Sequence, residues 1–519
     1  MFSMVTSGAI HGIDSYLTSV EVDVAQALPG FDMVGSLNVE VKESRQRVRV
    51  ALKNAGIRLP PVRITVNISP ANIRKEGTAF DLPIAIGILV SLGHIAKEFL
   101  DKTLVIGELG LAGEVKEVSG ILPIVLEARS QGYRRCIVPR INAIEGSVIQ
   151  DIEVVGVIDL KQTITYLATP EKGKRSVIQP TISKLDTFFH TIPVGEQLDF
   201  ADVNGQETAK RAVEIAAAGF HNIMMLGPPG SGKTMIAKRI AGILPPLTIQ
   251  ESLEVSRIYS ISGLLNEKES LITSRPFLNP HHTISDHALA GGGRIPRPGL
   301  ISLAHRGVLF LDELPEFKKS AIDILRQPME DKKIQIARSY GTITYPAEFM
   351  LVGALNPCPC GYYPDRNRCN CKPYEINKYL KHISGPILDR IDICLEVANI
   401  GLEELTQNGK NETSEQIRNR VMGARERQDY RYRGTGYRFN TDVGPKDINK
   451  YCILGPKEQC LVEAIFKTMN LSTRAYHKIV KVARTIADLD ESETIREIHI
   501  SEAICYRMLD QKYWERNKE

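Results

Sequence analysis

The 519-residue chain contains no long hydrophobic run, carries little excess charge and shows no internal repeat or low-complexity segment. Its longest apolar stretch, LPIAIGILVSLGHI from Leu82, is too short to cross a bilayer and reads as a core helix, so no membrane partner is expected. The opening MFSMVTSGAIHG lacks a basic segment followed by a long apolar one, which argues against a secretory signal and predicts a cytoplasmic protein. A net charge of only +4 excludes a uniformly polycationic nucleic-acid binder, so any such surface must be local. Nine cysteines in a chain without an export signal argue for metal binding over disulfides. What remains is an ordinary globular composition, 43% hydrophobic and 24% charged, in a chain long enough for two to four domains.

The order of patterns gives three regions. Residues 1–168 alternate β-rich runs (SVEVDVA, VRITVNIS, TLVIGEL) with helix-like stretches, the pattern of an α/β domain. The polar, proline-punctuated segment that follows reads as a linker over 169–190. A second α/β region is expected over 191–400, and a small helical domain over 401–519, where apolar residues recur at helix spacing.

The second region carries the clearest chemistry. IMMLGPPGSGKT, residues 223–234, runs from a strand-like segment through Gly227, Pro228, Pro229, Gly230, Ser231 and Gly232 to Lys233 and Thr234, ahead of a helix-like MIAKRIAGIL. This spacing lets backbone N–H groups approach phosphate oxygens, Lys233 reach the outer phosphates and Thr234 offer its hydroxyl to Mg²⁺, so ATP and Mg²⁺ are the expected cofactors. GVLFLDELPEF then ends an apolar strand on Asp312, a magnesium ligand, and Glu313, a general base for the attacking water. FMLVGALN ends on Asn356, placed to orient that water. SGPILDRID sets Arg390 between two aspartates, either a surface ion-pair cluster or an arginine finger for a neighbouring subunit.

Together GPPGSGKT, FLDELPEF, ALNPCPCG, SGPILDRID and STRAYHKIVKVARTIADL resemble the magnesium-chelatase-like branch of the AAA+ ATPases, and within it the ComM/YifB family, over nearly the whole chain. The resemblance implies an AAA+ P-loop core with a parallel sheet, a C-terminal helical lid, and a ring, hexameric in type, with ATP between subunits. It makes Asn356 sensor 1, Arg390 a trans-acting finger and Arg474 sensor 2, and it sets Val203 and Gly205 beside the adenine. VIGELGLAGEVKEVSGILPIVLEARSQGYRRCIVP resembles the Lon proteolytic domain, of ribosomal-S5-like fold, but alignment puts Ala79 and Leu122 where that enzyme has its serine and lysine. Thr78 has no lysine beside Leu122 to activate it, so a regulatory or partner-binding scaffold is expected rather than a protease.

Cys358, Cys360, Cys369 and Cys371 form C-x-C-x₈-C-x-C, two knuckles able to close on Zn²⁺; free thiols or a redox switch are the alternatives. For a polymer partner, GGGRIPRPG offers Arg294 and Arg297 in a loop that is a channel-facing phosphate contact or a plain surface loop. DKKIQIARSYGTITYPAEF reads as a hairpin made basic by Lys332, Lys333 and Arg338, which resembles a DNA-contacting hairpin of this clade. RNRVMGARERQDYRYRGTGYRF interleaves seven arginines with Tyr430, Tyr432 and Tyr437, and is either a base-stacking surface or the solvated connection to the lid. His281, His282, His287 and His305 lack a metal-ligand spacing and read as structural. The resemblance points to a DNA helicase that branch-migrates recombination intermediates in natural transformation, working with branched or single-stranded DNA and a recombination-protein partner. Metal insertion into a porphyrin, protein remodelling and a non-enzymatic ATP switch are the alternatives.

Overall fold

The computed structural model describes residues 1–183, 198–265, 270–293, 296–338, 341–399, 401, 411–469 and 471–515. Contacts divide the chain into two compact units, Met1–Ile192 with Ile249–Thr273, and Pro193–Thr248 with Ser274–Glu519. Among the described residues no helix is long and apolar enough to cross a membrane.

The first unit is built on a seven-stranded mixed sheet. β1 (Phe2–His11) and β2 (Asp14–Ala25) form an antiparallel hairpin, and β4 (Arg63–Ser69) runs antiparallel to β2. β3 (Gly30–Val34), β5 (Thr103–Val105), β6 (Arg135–Pro139) and β7 (Glu153–Val157) pair in parallel with their neighbours, in the order β3-β4-β2-β1-β5-β6-β7. Strand residues alternate, so Val5, Val20, Val22, Ile64, Val66 and Ile68 fall in one cluster with α1 (Val39–Asn54) and α2 (Asp81–Ser91). All eleven residues of α2 are buried, as the unbroken apolar run predicts for a helix enclosed on every side.

Two sequence expectations meet the contacts differently. Residues 249–273 lie inside the range expected for the second region but fold with the first. There Leu253 and Leu271 join the cluster around α3 (Ile121–Ser130), and Ser260 Oγ donates to the buried Glu145 carboxylate at 2.5 Å. The segment read as a linker begins with folded chain. Lys174 is buried over the rings of Tyr166 and Phe99, Val177 and Ile178 pack on the core, and Thr181 N donates to Val154 O at 2.8 Å. Residues 184–190 of that segment lie outside the described residues.

The second unit has a parallel five-stranded sheet of β8 (Ile223–Leu226), β9 (Phe277–Leu278), β10 (Val308–Leu311), β13 (Met350–Leu355) and β14 (Ile393–Glu396). Their order is β9-β10-β13-β8-β14. β8, β10 and β13 are buried along their whole length, as apolar runs covered on both faces must be. β11 (Lys333–Arg338) and β12 (Gly341–Pro346) make the expected hairpin, its tip at 339–340 lying outside the described residues. α4 (Glu207–Gly219), α5 (Lys233–Ile243), α6 (Ser414–Arg431), α7 (Thr473–Leu489) and α8 (Glu497–Cys505) share a single hydrophobic cluster with this sheet. Strand order reverses at β8, which lies between β13 and β14, and the crevice beyond the carboxyl ends at such a point is where open α/β sheets bind ligands.

Candidate active site

Gly227 leaves β8 so close to its neighbour that a Cβ there would sit 2.2 Å from Val397 O, which restricts the position to glycine. Further along the loop, Gly230 and Gly232 have φ of +80° and +89°, and a Cβ on either would meet nothing within 4 Å. The loop therefore bends through conformations that side chains disfavour while keeping room over its amide groups at the start of α5. Lys233 Nζ donates to Gly227 O at 2.7 Å, Pro228 O at 2.8 Å and Asn356 Oδ1 at 3.3 Å. Burial pushes this ammonium down to about 8, against the opposing pull of Asp312. Thr234 Oγ1 donates to Asp312 Oδ2 at 2.7 Å, and the other Asp312 oxygen accepts from Glu313 N at 3.0 Å. The carboxyl ends of β8, β10 and β13 thus bring Lys233, Thr234, Asp312 and Asn356 to one point. Val203 is enclosed in the core cluster and Gly205 turns the chain at φ +61°, just before Gln206, whose amide donates to Ser231 O at 3.3 Å and Ala398 O at 2.6 Å. Sequence inspection missed Gln206, since nothing in its local pattern marks a loop-bracing amide.

Glu313 stands beyond Asp312 with φ +51° and its carboxylate largely exposed. His282 Nδ1 lies 3.5 Å from Glu313 Oε2, and the His282 ring meets Phe317 edge-on. Of the four histidines read as structural, this one touches the expected base. Its signal was positional: the His281–His282 pair closely follows β9, the strand beside the one that ends on Asp312. The others have different partners. His281 pairs with Thr283, His287 with Arg338, and His305 accepts from Glu348 N at 3.1 Å.

Arg390 and Arg474 come together away from this loop. Asn222, at the start of β8, donates to Arg390 O at 3.1 Å, and Lys478, one turn after Arg474 on α7, donates to Ile391 O at 2.8 Å. Four strand residues separate Asn222 from Gly227, about 16 Å along β8, beyond the reach of an arginine side chain to its own phosphate loop. Both guanidiniums contact the carboxylate of Glu330, Arg390 through a short hydrogen bond and Arg474 at 3.5 Å.

The four cysteines converge: their Sγ atoms all lie within 4.8 Å of one another, with Cys358 and Cys369 buried. Tyr363 N donates to Cys358 Sγ at 3.4 Å. Desolvation opposes ionisation of Cys360, but the Tyr362 amide and the neighbouring thiols bring it down to about 7. Thiolates spaced like this fit a tetrahedral metal, whose Zn–S bonds near 2.3 Å put ligands about 3.8 Å apart.

Magnesium-chelatase models match this chain in three stretches. One described as subunit ChlI covers residues 199–405, a second of that subunit covers 20–142, and its C-terminal model covers 411–507. The competence protein ComM of Haemophilus influenzae is 40% identical over 511 residues, spanning 98% of this chain and 97% of its own. YifB of Escherichia coli strain K12, a protein described as uncharacterised, is 40% identical over 509 residues, with 98% and 97% of the two chains aligned. This chain belongs to the ComM/YifB family of magnesium-chelatase-like AAA+ ATPases. A magnesium-chelatase 67 kDa subunit of Chlorobaculum parvum is also similar, 29% identical over 162 residues, but only across 30% of this chain and 23% of its own. ATP and Mg²⁺ are the cofactors of this ATPase class, and the loop, the Thr234–Asp312 pair and Lys233 fit them.

The basic loops of this ComM/YifB member are only partly free. Arg338 reaches His287 Nδ1 at 3.3 Å and passes Gly292, which pairs with the exposed Arg297, so those two arginines share one surface. Lys333 is exposed on β11. Lys332 is different, its ammonium held between Glu348 and Asp442 at the hairpin base. Arg294 lies outside the described residues. In the arginine–tyrosine stretch most groups have partners within the chain. Arg420 meets Glu214 and Glu412, Arg431 meets Asp488, Tyr437 donates to Asp447, and Tyr432 packs edge-on to Tyr437 and Tyr451. That is the arrangement of a packed connection, with Tyr430 alone of the three tyrosines strongly exposed.

Proposed function

We propose that this ATPase is a ring-forming, hexameric motor that moves on DNA and promotes branch migration of recombination intermediates during natural transformation. The observation that carries the reading is the match to the competence protein ComM across 98% of the chain. The surface shared by Arg297 and Arg338 supports a phosphate-backbone contact without base reading, and the exposed Lys333 adds a charge at the base of the same hairpin.

In this reading Lys233 and the loop amides bind the triphosphate, and Thr234 and Asp312 hold Mg²⁺, which neutralises phosphate charge when bound. Glu313 accepts the proton of the attacking water and Asn356 orients that water. Arg390 and Arg474 act on the nucleotide of a neighbouring subunit, because their own lies at the other end of β8. The cysteine cluster holds Zn²⁺ as a structural site. The first unit is a Lon-like, ribosomal-S5-like domain that recruits a partner rather than cutting protein. Ala79 packs on the same cluster that buries Leu122, and the Thr78 hydroxyl donates a hydrogen bond to the Glu108 carboxylate. ATP hydrolysis measured with and without forked, single-stranded and four-way DNA tests the reading. Stimulation by branched DNA is the expected result, and stimulation by an unfolded protein instead would replace it with a remodelling motor.

A further inference from the structure

We infer that Glu330 is a positioning residue for the ATPase reaction, aligning Arg390 and Arg474 as a pair for the triphosphate of a second copy of this chain. The inference rests on the reading that both arginines act across a subunit boundary, and it adds the group that sets their geometry.

The three residues come from separate parts of the second unit. Glu330 lies near the end of the short helix Arg326–Asp331, Arg390 follows the turn Gly385–Leu388, and Arg474 is in the first turn of α7. Glu330 gives one oxygen to each arginine, Oε2 to Arg390 and Oε1 to Arg474. Arg390 is held on a second side, where its NH1 donates to Pro386 O at 2.6 Å, and its side chain is only 17% exposed. Arg474 is 60% exposed and Glu330 53%. A single surface ion pair contributes little to stability, so a half-exposed carboxylate shared by two arginines is poorly explained as a fold element. It is well explained as an aligning device. Two guanidiniums repel each other, and a carboxylate between them offsets that repulsion and fixes their separation. Each guanidinium carries five N–H donors, so bonds to Glu330 and Pro386 leave donors for a phosphate.

Their own phosphate loop is out of reach, at the far end of β8 from Asn222. The anion that would complete them therefore belongs to another molecule, and a triphosphate presented at a neighbour's loop has the charge and the oxygen count. Glu330 then acts through the arginines, shaping turnover and leaving nucleotide affinity to Lys233 and the loop.

The test compares full-length wild type with Glu330→Gln, Arg390→Ala, Arg474→Ala and Lys233→Ala, measuring ATPase kcat and KM, assembly by gel filtration and thermal melting. Glu330→Gln is expected to assemble and melt as wild type, to keep KM within about twofold, and to lose about tenfold or more in kcat. Mixing Glu330→Gln with Lys233→Ala should give more ATPase than the sum of the two alone, since one supplies an intact loop and the other an aligned arginine pair. If both arginine variants are inactive but Glu330→Gln turns over normally, the inference about Glu330 falls and the trans-acting arginines stand. If Glu330→Gln loses activity and mixing restores none of it, its role is structural and the inference is overturned. If the arginine variants hydrolyse ATP as wild type does, the cross-subunit reading itself fails and the inference goes with it.

Discussion

Gly361 of the cysteine knuckle lies against Pro229 of the phosphate loop, so near that a Cβ on Gly361 would sit 2.5 Å from Pro229 Cδ. Gly361 also has φ +86°, a conformation side chains disfavour. The cluster of Cys358, Cys360, Cys369 and Cys371 is thus a buttress for the loop that holds nucleotide. Gly361→Val is expected to push the loop away and weaken ATP binding about tenfold, at the lower end of what overpacking costs, around 1–3 kcal/mol. Titration with a fluorescent ATP analogue measures it.

The same contact gives the proposed zinc site a readout. Elemental analysis of purified protein is expected to find one zinc per chain, and Cys369→Ser to lose it. Removing the metal with a strong chelator should weaken nucleotide binding in the direction of Gly361→Val.

Lys233 sets a pH dependence. Burial brings its ammonium down to about 8, whereas a bound triphosphate favours the charged form and raises it. Above pH 8 the free protein holds a mostly neutral lysine, so ATP binding must take up a proton and affinity falls as pH rises. Below pH 8 the lysine is already charged and affinity is flat on this account. Binding isotherms between pH 7 and 9.5, in buffers of different ionisation enthalpy, show both the fall and the proton.

His282 Nδ1 faces the carboxylate of Glu313 at 3.5 Å, where it can hold the proposed general base in place. His282→Ala is expected to lower kcat about tenfold with little change in KM, a smaller loss than the roughly 100-fold or more that follows removal of a general base itself. Steady-state ATPase assays on His282→Ala and Glu313→Gln separate the two effects.

Asp392 ties the start of β8 to α7, accepting from Asn222 N at 3.0 Å and pairing with Lys478 at 3.2 Å. Burial works against its ionisation, but Lys478 and His221 outweigh it and hold the carboxyl well below its usual 3.8. A depressed carboxylate contributes stability that is present above pH 3.8 and lost as pH falls through the folded value. Asp392→Asn should therefore destabilise the second unit by about 3 kcal/mol at neutral pH, the scale of breaking a buried pair, and the gap from wild type should close in acid. Chemical unfolding at several pH values follows it.

The parts of the site legible in the sequence are those whose chemistry is local. The glycine loop ending on Lys233 and Thr234, the strand ending on Asp312 and Glu313, and the cysteine knuckles are each fixed by a few consecutive residues, and the fold needed only to bring strand ends together. What the sequence hid depends on distant partners. Lys332 reads as a free cation until Glu348 and Asp442 appear beside it, and the sequence of 418–439 leaves a base-stacking surface and a connection to the lid equally open until Glu214, Glu412 and Asp488 meet its arginines. Helical periodicity in residues 249–261 shows an apolar stripe but not which core it joins. Glu330, in a short helix with no motif of its own, has meaning only where Arg390 and Arg474 arrive.

The most direct measurement is the ATP-dependent separation of a labelled four-way DNA junction by purified protein, with Glu313→Gln as the hydrolysis-deficient control. Wild type is expected to separate the arms, and Glu313→Gln to bind the junction without separating it. Wild type that hydrolyses ATP at a rate no DNA structure alters, and leaves the junction intact, would contradict the assignment of this chain as a DNA motor.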